Sequence, residues 1–254
     1  MRGLLAFPDV MTDPTVDPDG RLARLFRELD FTAPYVKKQR RERNTWHLRV
    51  KTDGHDGKLA LFVKVYRRPP LRNALTIFLP SRVKREWRNS RNAAACGLPV
   101  PAAIAAGERR VGGVVVDQFV AFRRIPRTRS VSRLLRRAVK RGMPMRRIRW
   151  RERFARALAN LHAHGYRHGA CSPRNALVRK KDPTKTVWWI DHPRGRLFSG
   201  SIHATTRALP DLVQALDSSL LAPDVASATH FLQAYAPGLK DFHRRVLARV
   251  PRLR

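Results

Sequence analysis

The chain has 254 residues, of which 43% are hydrophobic and 8% aromatic, so it can bury a core and is not expected to be disordered throughout. Its 53 Lys and Arg residues face only 19 Asp and Glu residues, and the formal net charge of +34 indicates acidic surroundings such as nucleic acid, phosphorylated glycolipid or an anionic membrane surface. Because 42 of the 53 cations are arginine, a bias in genome composition is the alternative explanation.

Cysteine content and apolar stretches indicate a cytoplasmic protein. Cys96 and Cys171 are too few for a disulfide framework and form no C-x-x-C pair. The apolar patch at residues 4–7 is too short for a signal peptide, so no export is predicted. The stretches 93–107 and 112–122 fall short of the roughly 20 residues of a spanning helix, so any membrane contact is expected to be peripheral.

The first 34 residues are predicted to form a leader segment. They are rich in Pro, Asp and Gly, and one short amphipathic helix is expected around residues 22–29. From residue 35 the pattern becomes that of strands. Apolar residues alternate over 46–50, turn residues follow at 53–57, and a second apolar run covers 59–66. This pattern predicts a β-hairpin.

The rest of the first half predicts one long helix and two further strands. Ser81 is a candidate N-cap, and helical spacing of apolar residues continues from 82 to 96, where Gly97 follows as a stop. Strand-like runs then occupy 102–106 and 113–122. Residues 35–122 are therefore predicted to be a small, β-rich N-lobe.

Residues 123–254 are predicted to be a larger, helical C-lobe. The segment 123–156 holds 15 basic residues and one acid, Glu152, and its apolar spacing predicts two basic helices, the second ending near residue 164. A loop over 168–175 and short strands at 176–178 and 187–191 should follow, with helices beyond about residue 205. The fold class predicted is α+β and bilobal.

Four residues occur in the order and spacing of a protein-kinase domain: Lys64 in a strand, Glu86 on the next helix, Asn175 after His168, and Asp191 at a strand end. Phosphoryl transfer depends mainly on positioning the triphosphate and neutralising its charge. Lys64 is therefore expected to contact the α and β phosphates of ATP, with Glu86 as its ion-pair partner. Asn175 and Asp191 would supply oxygen ligands to Mg²⁺. The alternative is a solvated Lys–Glu pair with ordinary turn or cap residues at 175 and 191.

Residues 35–236 resemble the lipopolysaccharide-core kinases, which phosphorylate heptose or Kdo sugars, including their InaA-type branch. The matching segments are Lys64–Pro70, Arg85–Trp87, Gly97–Pro101 through Gly107–Arg109, Leu158–Asn175 and Trp189–Asp191. The resemblance implies a protein-kinase-like fold and an ATP- and Mg²⁺-dependent kinase. The implied partners are an anionic glycolipid or sugar acceptor and the cytoplasmic face of the membrane.

The sequence departs from this family pattern at the catalytic loop. His168-Gly169-Ala170 stands where such kinases have His-x-Asp, so Ala170 occupies the position of the usual base and His168 is expected to be a scaffold residue of the loop. A positioned general base contributes about 10²- to 10⁴-fold to the rate. The loss predicts either slow transfer through another base or a pseudokinase that acts as a nucleotide-binding or scaffold domain.

Two smaller departures concern the nucleotide-binding segments. Asp191-His192-Pro193 replaces Asp-Phe-Gly, which makes a switch role for this segment doubtful. The basic run 37–45 has no glycine-rich phosphate pattern. Either its cations cover the phosphates or the run is a solvated strand edge.

Two other functions, zinc binding and nucleic-acid binding, fit the sequence less well. His162, His164, His168 and Cys171 are close in sequence, but their spacing matches no zinc pattern. The basic segment 123–156 could bind nucleic acid, although few aromatic residues are interleaved for base stacking. The same cations would attach the protein to an anionic bilayer at about 1 kcal/mol each, which fits the resemblance better.

Overall fold

A computed structural model describes residues 4–30, 36–42, 45–54, 57–67, 77–179, 182, 184 and 186–253. The chain divides into two compact units. The first comprises Met1–Arg91 and Pro101–Arg124, and the second comprises Asn92–Val100 and Ile125–Arg254.

A six-stranded antiparallel sheet forms the centre of the first unit, with strand order β2-β7-β8-β6-β5-β4. A separate two-stranded ladder pairs β1 with β3. The elements of this unit, which includes most of α2, are β1 (Leu4–Ala6), β2 (Asp9–Thr12), α1 (Arg21–Arg27), β3 (Glu28–Asp30), β4 (Val36–Glu42), β5 (Thr45–Gly54), β6 (Gly57–Arg67), α2 (Arg82–Ala95), β7 (Ala103–Val111) and β8 (Val114–Arg123).

The period-2 alternation of strand side chains gives this sheet two apolar faces. On β6, Val63 and Val65 belong to one core cluster, while Tyr66 belongs to the cluster on the opposite face. The first cluster includes residues of α1, and the second includes Val83 of α2 with Trp87 packed against it. Successive residues of a strand point to opposite faces, so Lys64 lies on the Tyr66 side of β6.

The predicted β-hairpin is confirmed, because β5 pairs with β6 from Thr45↔Tyr66 to Gly54↔Gly57. Two residues of its predicted turn, His55 and Asp56, lie outside the described residues. Residues 37–42 of the basic run lie in β4, which ends at Glu42 and pairs with β5 as an edge strand of the sheet.

The prediction of a loose leader was wrong for residues 4–30. β2 pairs with β7 from Asp9↔Glu108 to Thr12↔Ala105 and so forms one edge of the main sheet. Phe7, Leu22 and Phe26 are fully buried or nearly so in the core cluster on the α1 face of the sheet. The frequent Pro, Asp and Gly residues are turns and caps in a packed segment. Asp17, for example, accepts hydrogen bonds from the first backbone N–H groups of α1.

The predicted helix over 82–96 is confirmed as α2. Ser81 caps it as expected, since its hydroxyl accepts the Lys84 N–H at 3.2 Å. The Val83 N–H donates to Gln118 Oε1 on β8 at 3.2 Å, which fixes the start of the helix against the sheet. The first turn of α2 therefore has a defined position relative to β6 and β8.

The second unit is mainly helical around one large core, as predicted. Its small sheets have strand orders β12-β11-β9 and β10-β13. The elements are β9 (Thr128–Ser130), α3 (Val131–Lys140), α4 (Pro144–Ala163), β10 (Tyr166–Arg167), β11 (Ala176–Arg179), β12 (Val187–Trp189), β13 (Arg196–Leu197), α5 (Leu209–Leu216), α6 (Val225–Tyr235) and α7 (Lys240–Leu247), with 3₁₀ turns at Pro173–Asn175, Thr206–Ala208 and Pro251–Leu253.

The two predicted basic helices are α3 and α4. Their packing buries Leu135 on α3 and Phe154 and Leu158 on α4 in the core of the unit, whereas most of the arginines remain at least partly exposed. Strand β9 was not predicted from the sequence. Of the helices in the described part of the chain, none combines the length and apolarity that a membrane crossing requires.

Candidate active site

Lys64 and Glu86 form a buried ion pair in the first unit. Lys64 Nζ lies 2.6 Å from Glu86 Oε1, and the two side chains are 8% and 0% exposed. The Tyr66 hydroxyl donates to the other carboxylate oxygen at 3.4 Å. Lys64 is central in the sheet, with His47 on β5 and Val120 on β8 as its cross-strand partners. The expected Lys–Glu pair is therefore present, and it is buried rather than solvated.

Burying this ion pair costs free energy. Removing two charges from water costs several kcal/mol per ion, and an apolar pair of similar volume is often as stable or more stable. A buried ion pair is therefore poor evidence for stability and better evidence for a constraint on the side chains. Here the constraint orients an amine on the face of the sheet that packs against α2.

The loop around His168 lies in the second unit, between β10 and β11. His168 is fully buried. Its Nε2 lies 3.1 Å from the Ile190 carbonyl, and its Nδ1 lies 3.2 Å from the Ala170 N–H. Both contacts are satisfied by a neutral imidazole that donates from Nε2 and accepts at Nδ1. His168 therefore holds the loop to the segment after β12, in keeping with the predicted scaffold role.

A residue missed from the sequence, Asp211 on α5, anchors the same loop. Its carboxylate accepts the backbone N–H groups of His168 at 2.6 Å and Gly169 at 2.8 Å. His162 bridges Asp211 and the Tyr235 hydroxyl, with Nε2 3.2 Å from the carboxylate and Nδ1 2.7 Å from the hydroxyl. One buried carboxylate thus fixes two successive peptide groups immediately before Ala170.

The electrostatics of these groups follow from burial and contact. Burial lowers the pKa of His168 below its ordinary value, although the nearby Asp211 and Asp191 charges oppose this effect. Burial pushes the pKa of Asp211 upward, but the hydrogen bond and charge of His162, together with His168, hold that pKa below its ordinary value. His168 is therefore neutral and Asp211 ionised near neutral pH.

Gly169 is required by the backbone of the loop. Its φ of +71° lies in the left-handed region, and a Cβ at this position would collide with the Arg194 carbonyl. The segment after β12 therefore packs directly on the loop. Any side chain at residue 169 would push these two segments apart.

A backbone hydrogen bond joins Asn175 to the residue before Asp191. The Asn175 side-chain amide donates to the Ala170 carbonyl at 2.8 Å, and the Asn175 carbonyl accepts the Ile190 N–H at 2.9 Å. Asp191 was expected to end a strand, but β12 ends at Trp189 and Asp191 adopts φ +67° two residues later. A non-glycine residue in this region is uncommon and often marks a functional site.

The oxygen donors of Asn175 and Asp191 match the chemistry of magnesium. Asn175 uses its amide nitrogen within the protein, and a carboxylate and an amide oxygen are ligand types that Mg²⁺ takes together with phosphates and water. Across the residues that the structure describes, no group of three or more His, Cys, Asp or Glu side chains could hold a metal by itself. The donors are thus too few for an all-protein metal cage.

Comparison with protein families shows which family this chain belongs to. The model of the lipopolysaccharide kinase (Kdo/WaaP) family matches residues 31–235, which is most of the chain. The chain belongs to this family. No curated protein matches the chain significantly. The family is one of kinases, so the resemblance identified from the Lys64, Asn175 and Asp191 segments is confirmed.

A solved structure resembles the chain over nearly its whole length. It is described as WaaP in complex with acyl carrier protein, and it matches with a TM-score of 0.62 and 21% sequence identity, covering 99% of this chain and 97% of the other. At this level of identity the likeness concerns the fold. The predicted α+β, protein-kinase-like fold of this family member is therefore confirmed.

Proposed function

We propose that this family member is an ATP- and Mg²⁺-dependent kinase that phosphorylates a sugar hydroxyl of an anionic lipopolysaccharide-core glycolipid at the cytoplasmic face of the membrane. The observation that carries the proposal is the buried Lys64–Glu86 ion pair at 2.6 Å. A buried charge pair of this kind contributes little to stability. It is well suited to present one amine to a polyphosphate.

The remaining roles follow from the chemistry of the side chains. Lys64 binds the α and β phosphates, and Glu86 fixes the direction of its amine. Asn175 and Asp191 would hold Mg²⁺, which would neutralise charge on the phosphates. Asp211 and His168 position the loop that carries Ala170 through the hydrogen bonds to residues 168–170 and 190.

With alanine at position 170, the protein lacks the carboxylate that would accept the proton of the attacking hydroxyl. Its methyl group has no proton acceptor, so we propose slow transfer in which an acceptor phosphate takes the proton. The expected loss relative to a kinase with a positioned base is about 10²- to 10⁴-fold. Nucleotide binding should be retained, because none of the proposed nucleotide ligands is replaced.

The test is transfer of labelled phosphate from ATP to purified core glycolipid. Slow transfer is expected with the wild type and none with Asp191→Asn, which keeps the side-chain shape but removes its charge. Glu152→Gln, on the surface of α4, is a control that should leave transfer unchanged. Equal inactivity of the wild type and Asp191→Asn would exclude the kinase.

The alanine at 170 also favours a second candidate, a pseudokinase that binds nucleotide and recruits a partner. The variant Ala170→Asp separates the two functions. A rise in transfer of at least tenfold would show that only the base is missing, since a base contributes about 10²- to 10⁴-fold. Nucleotide binding without transfer in either protein would support the pseudokinase instead.

A further inference from the structure

A strongly basic cavity lies between α3 and α4 of the second unit. Its volume is about 320 Å³, within the lower range of small-molecule binding sites. None of the residues that line it belongs to the candidate active site. Five of them are arginines, contributed by β9, α3 and α4: Arg129, Arg137, Arg146, Arg149 and Arg153.

The lining of this cavity contains no acidic residue, and outside the lining the charge of Asp182 acts on Arg153. Within the described parts of the chain, none of the five arginines is in a salt bridge. The charge of Arg141, followed by burial and by the charges of Arg129 and Arg146, lowers the pKa of Arg137. Crowding of cations opposes folding, and a bound polyanion would relieve it.

The remaining lining residues are apolar. Leu134, Ala138, Met143 and Trp150 contribute to the wall, and the Arg153 guanidinium lies 5.3 Å from the centre of the Trp150 ring. An indole face beside arginine forks suits a sugar ring that carries phosphate groups, since guanidinium groups bind phosphate oxygens in pairs. The cavity therefore combines an apolar wall with multiple anion donors.

The helix ends beside the cavity also expose apolar side chains. Val139 near the end of α3 is 51% exposed, and Met145 at the start of α4 is 61% exposed. Exposed apolar residues among many cations are typical of surfaces that rest on an anionic bilayer. Nucleic acid fits less well, because Trp150 is the only aromatic residue in the lining and single-stranded nucleic acid uses successive stacking platforms.

We propose that the α3–α4 cavity binds the phosphorylated sugar headgroup of a membrane glycolipid, as a docking site formed by residues other than the catalytic ones. The nature of the lipid rests on the proposed function, whereas the binding itself requires neither ATP nor phosphoryl transfer. The arginines bind the phosphate groups, and Trp150 packs against the sugar. This docking holds the protein at the surface that carries its acceptor.

The test is sedimentation of the intact protein with phosphatidylcholine vesicles that contain or lack diphosphoryl lipid A, without ATP. Arg137→Gln/Arg149→Gln should weaken binding to the lipid A vesicles by about tenfold or more, because both residues lose their charged hydrogen bonds to phosphate. Arg136→Gln/Arg245→Gln removes the same charge from exposed residues outside the cavity and should have a small effect. Circular dichroism checks that both variants are folded.

Competition and the control variants decide the outcome. Inorganic pyrophosphate should displace the wild type from lipid A vesicles, whereas polyglutamate should displace it weakly. If both double variants weaken vesicle binding equally, the binding depends on net charge alone and the proposal is wrong. If the protein binds pyrophosphate but not the vesicles, the ligand of the cavity is not a glycolipid. If single-stranded RNA binds more tightly than the vesicles and this binding depends on Arg137 and Arg149, the cavity is a nucleic-acid site and the proposal is wrong.

The same assay separates this proposal from the kinase. Asp191→Asn should bind lipid A vesicles like the wild type even though it cannot transfer phosphate. Vesicle binding with no transfer by any variant would leave the docking site intact and exclude the kinase. Transfer by the wild type without cavity-dependent vesicle binding would exclude the docking site alone.

Discussion

In the proposed reaction the Lys64–Glu86 ion pair would favour phosphoryl transfer, whereas Ala170 would slow it. The ion pair keeps an amine oriented at the cost of burying two charges, whereas Ala170 lacks the group that would activate an acceptor hydroxyl. A chain under no constraint to bind nucleotide could replace Lys64 and Glu86 with apolar residues at little cost. The pair is therefore the feature whose removal is most informative.

Replacing Lys64 alone should destabilise the protein more than replacing both partners. Lys64→Met leaves the Glu86 carboxylate buried without its partner and is expected to cost about 3–5 kcal/mol. The double variant Lys64→Met/Glu86→Leu should recover most of this loss, yet neither protein should bind MgATP. Urea denaturation measures the difference. Equal destabilisation in the single and double variants would show that the loss does not come from leaving the Glu86 carboxylate buried without Lys64.

His168 should make stability fall in mild acid. Its pKa is lowered in the folded state, so the folded protein binds fewer protons than the unfolded chain, and this contribution is complete above the ordinary value of about 6.5 and lost as the pH falls below it. Denaturation between about pH 7 and about pH 5 should show the decline. The decline should be smaller in His168→Asn and unchanged in His164→Asn, which alters an exposed histidine.

Sequence patterns predicted residues of this site unequally. Lys64 and Glu86 could be found because strand alternation and helical spacing place them in a known order. Asp211 could not be found in this way. An aspartate in the first turn of a helix is usually exposed, where its charge interacts favourably with the helix dipole. Only the fold shows that Asp211 is buried and accepts the N–H groups of residues 168 and 169.

At the scale of elements, local signals predicted most helices and strands but not the role of the first 30 residues. Ser81 and Gly97 bounded α2 correctly, alternation located β5, and apolar runs located β6 and β8. The partner of β2 is β7, nearly one hundred residues later in the chain, and no local pattern encodes that pairing. Turn-rich composition therefore concealed a segment that packs against the sheet.

Packing of this segment can be tested at Phe26. The side chain is fully buried and its ring stacks on Phe119 of β8 at a centroid distance of 4.8 Å. Phe26→Ala should lower the free energy of unfolding by about 3–5 kcal/mol. Arg24→Ala on the same helix is a control with a small expected effect, because its side chain is less buried. A loss below about 1 kcal/mol for Phe26→Ala would mean that the segment is a dispensable leader.

The charge of the protein and its family membership give complementary information about its binding partner. A net charge of +34 indicates an acidic partner but does not distinguish lipid from nucleic acid. Family membership over residues 31–235 indicates a kinase, and the concentration of arginine around the α3–α4 cavity then favours a phosphorylated glycolipid. Composition alone could not have located that cavity, because its lining comes from three separate elements.

Thermal unfolding with and without MgATP shows whether the protein binds nucleotide through Lys64, Glu86 and Asp191, because a ligand that binds only the folded state must raise the melting temperature. At about one hundred times Kd the wild type should gain roughly 2.7 kcal/mol. The gain should be lost in Lys64→Met/Glu86→Leu and strongly reduced in Asp191→Asn, and it should persist in Arg137→Gln/Arg149→Gln. A melting temperature that does not change with MgATP, or that rises equally in all four proteins, would show that Lys64, Glu86 and Asp191 do not hold MgATP.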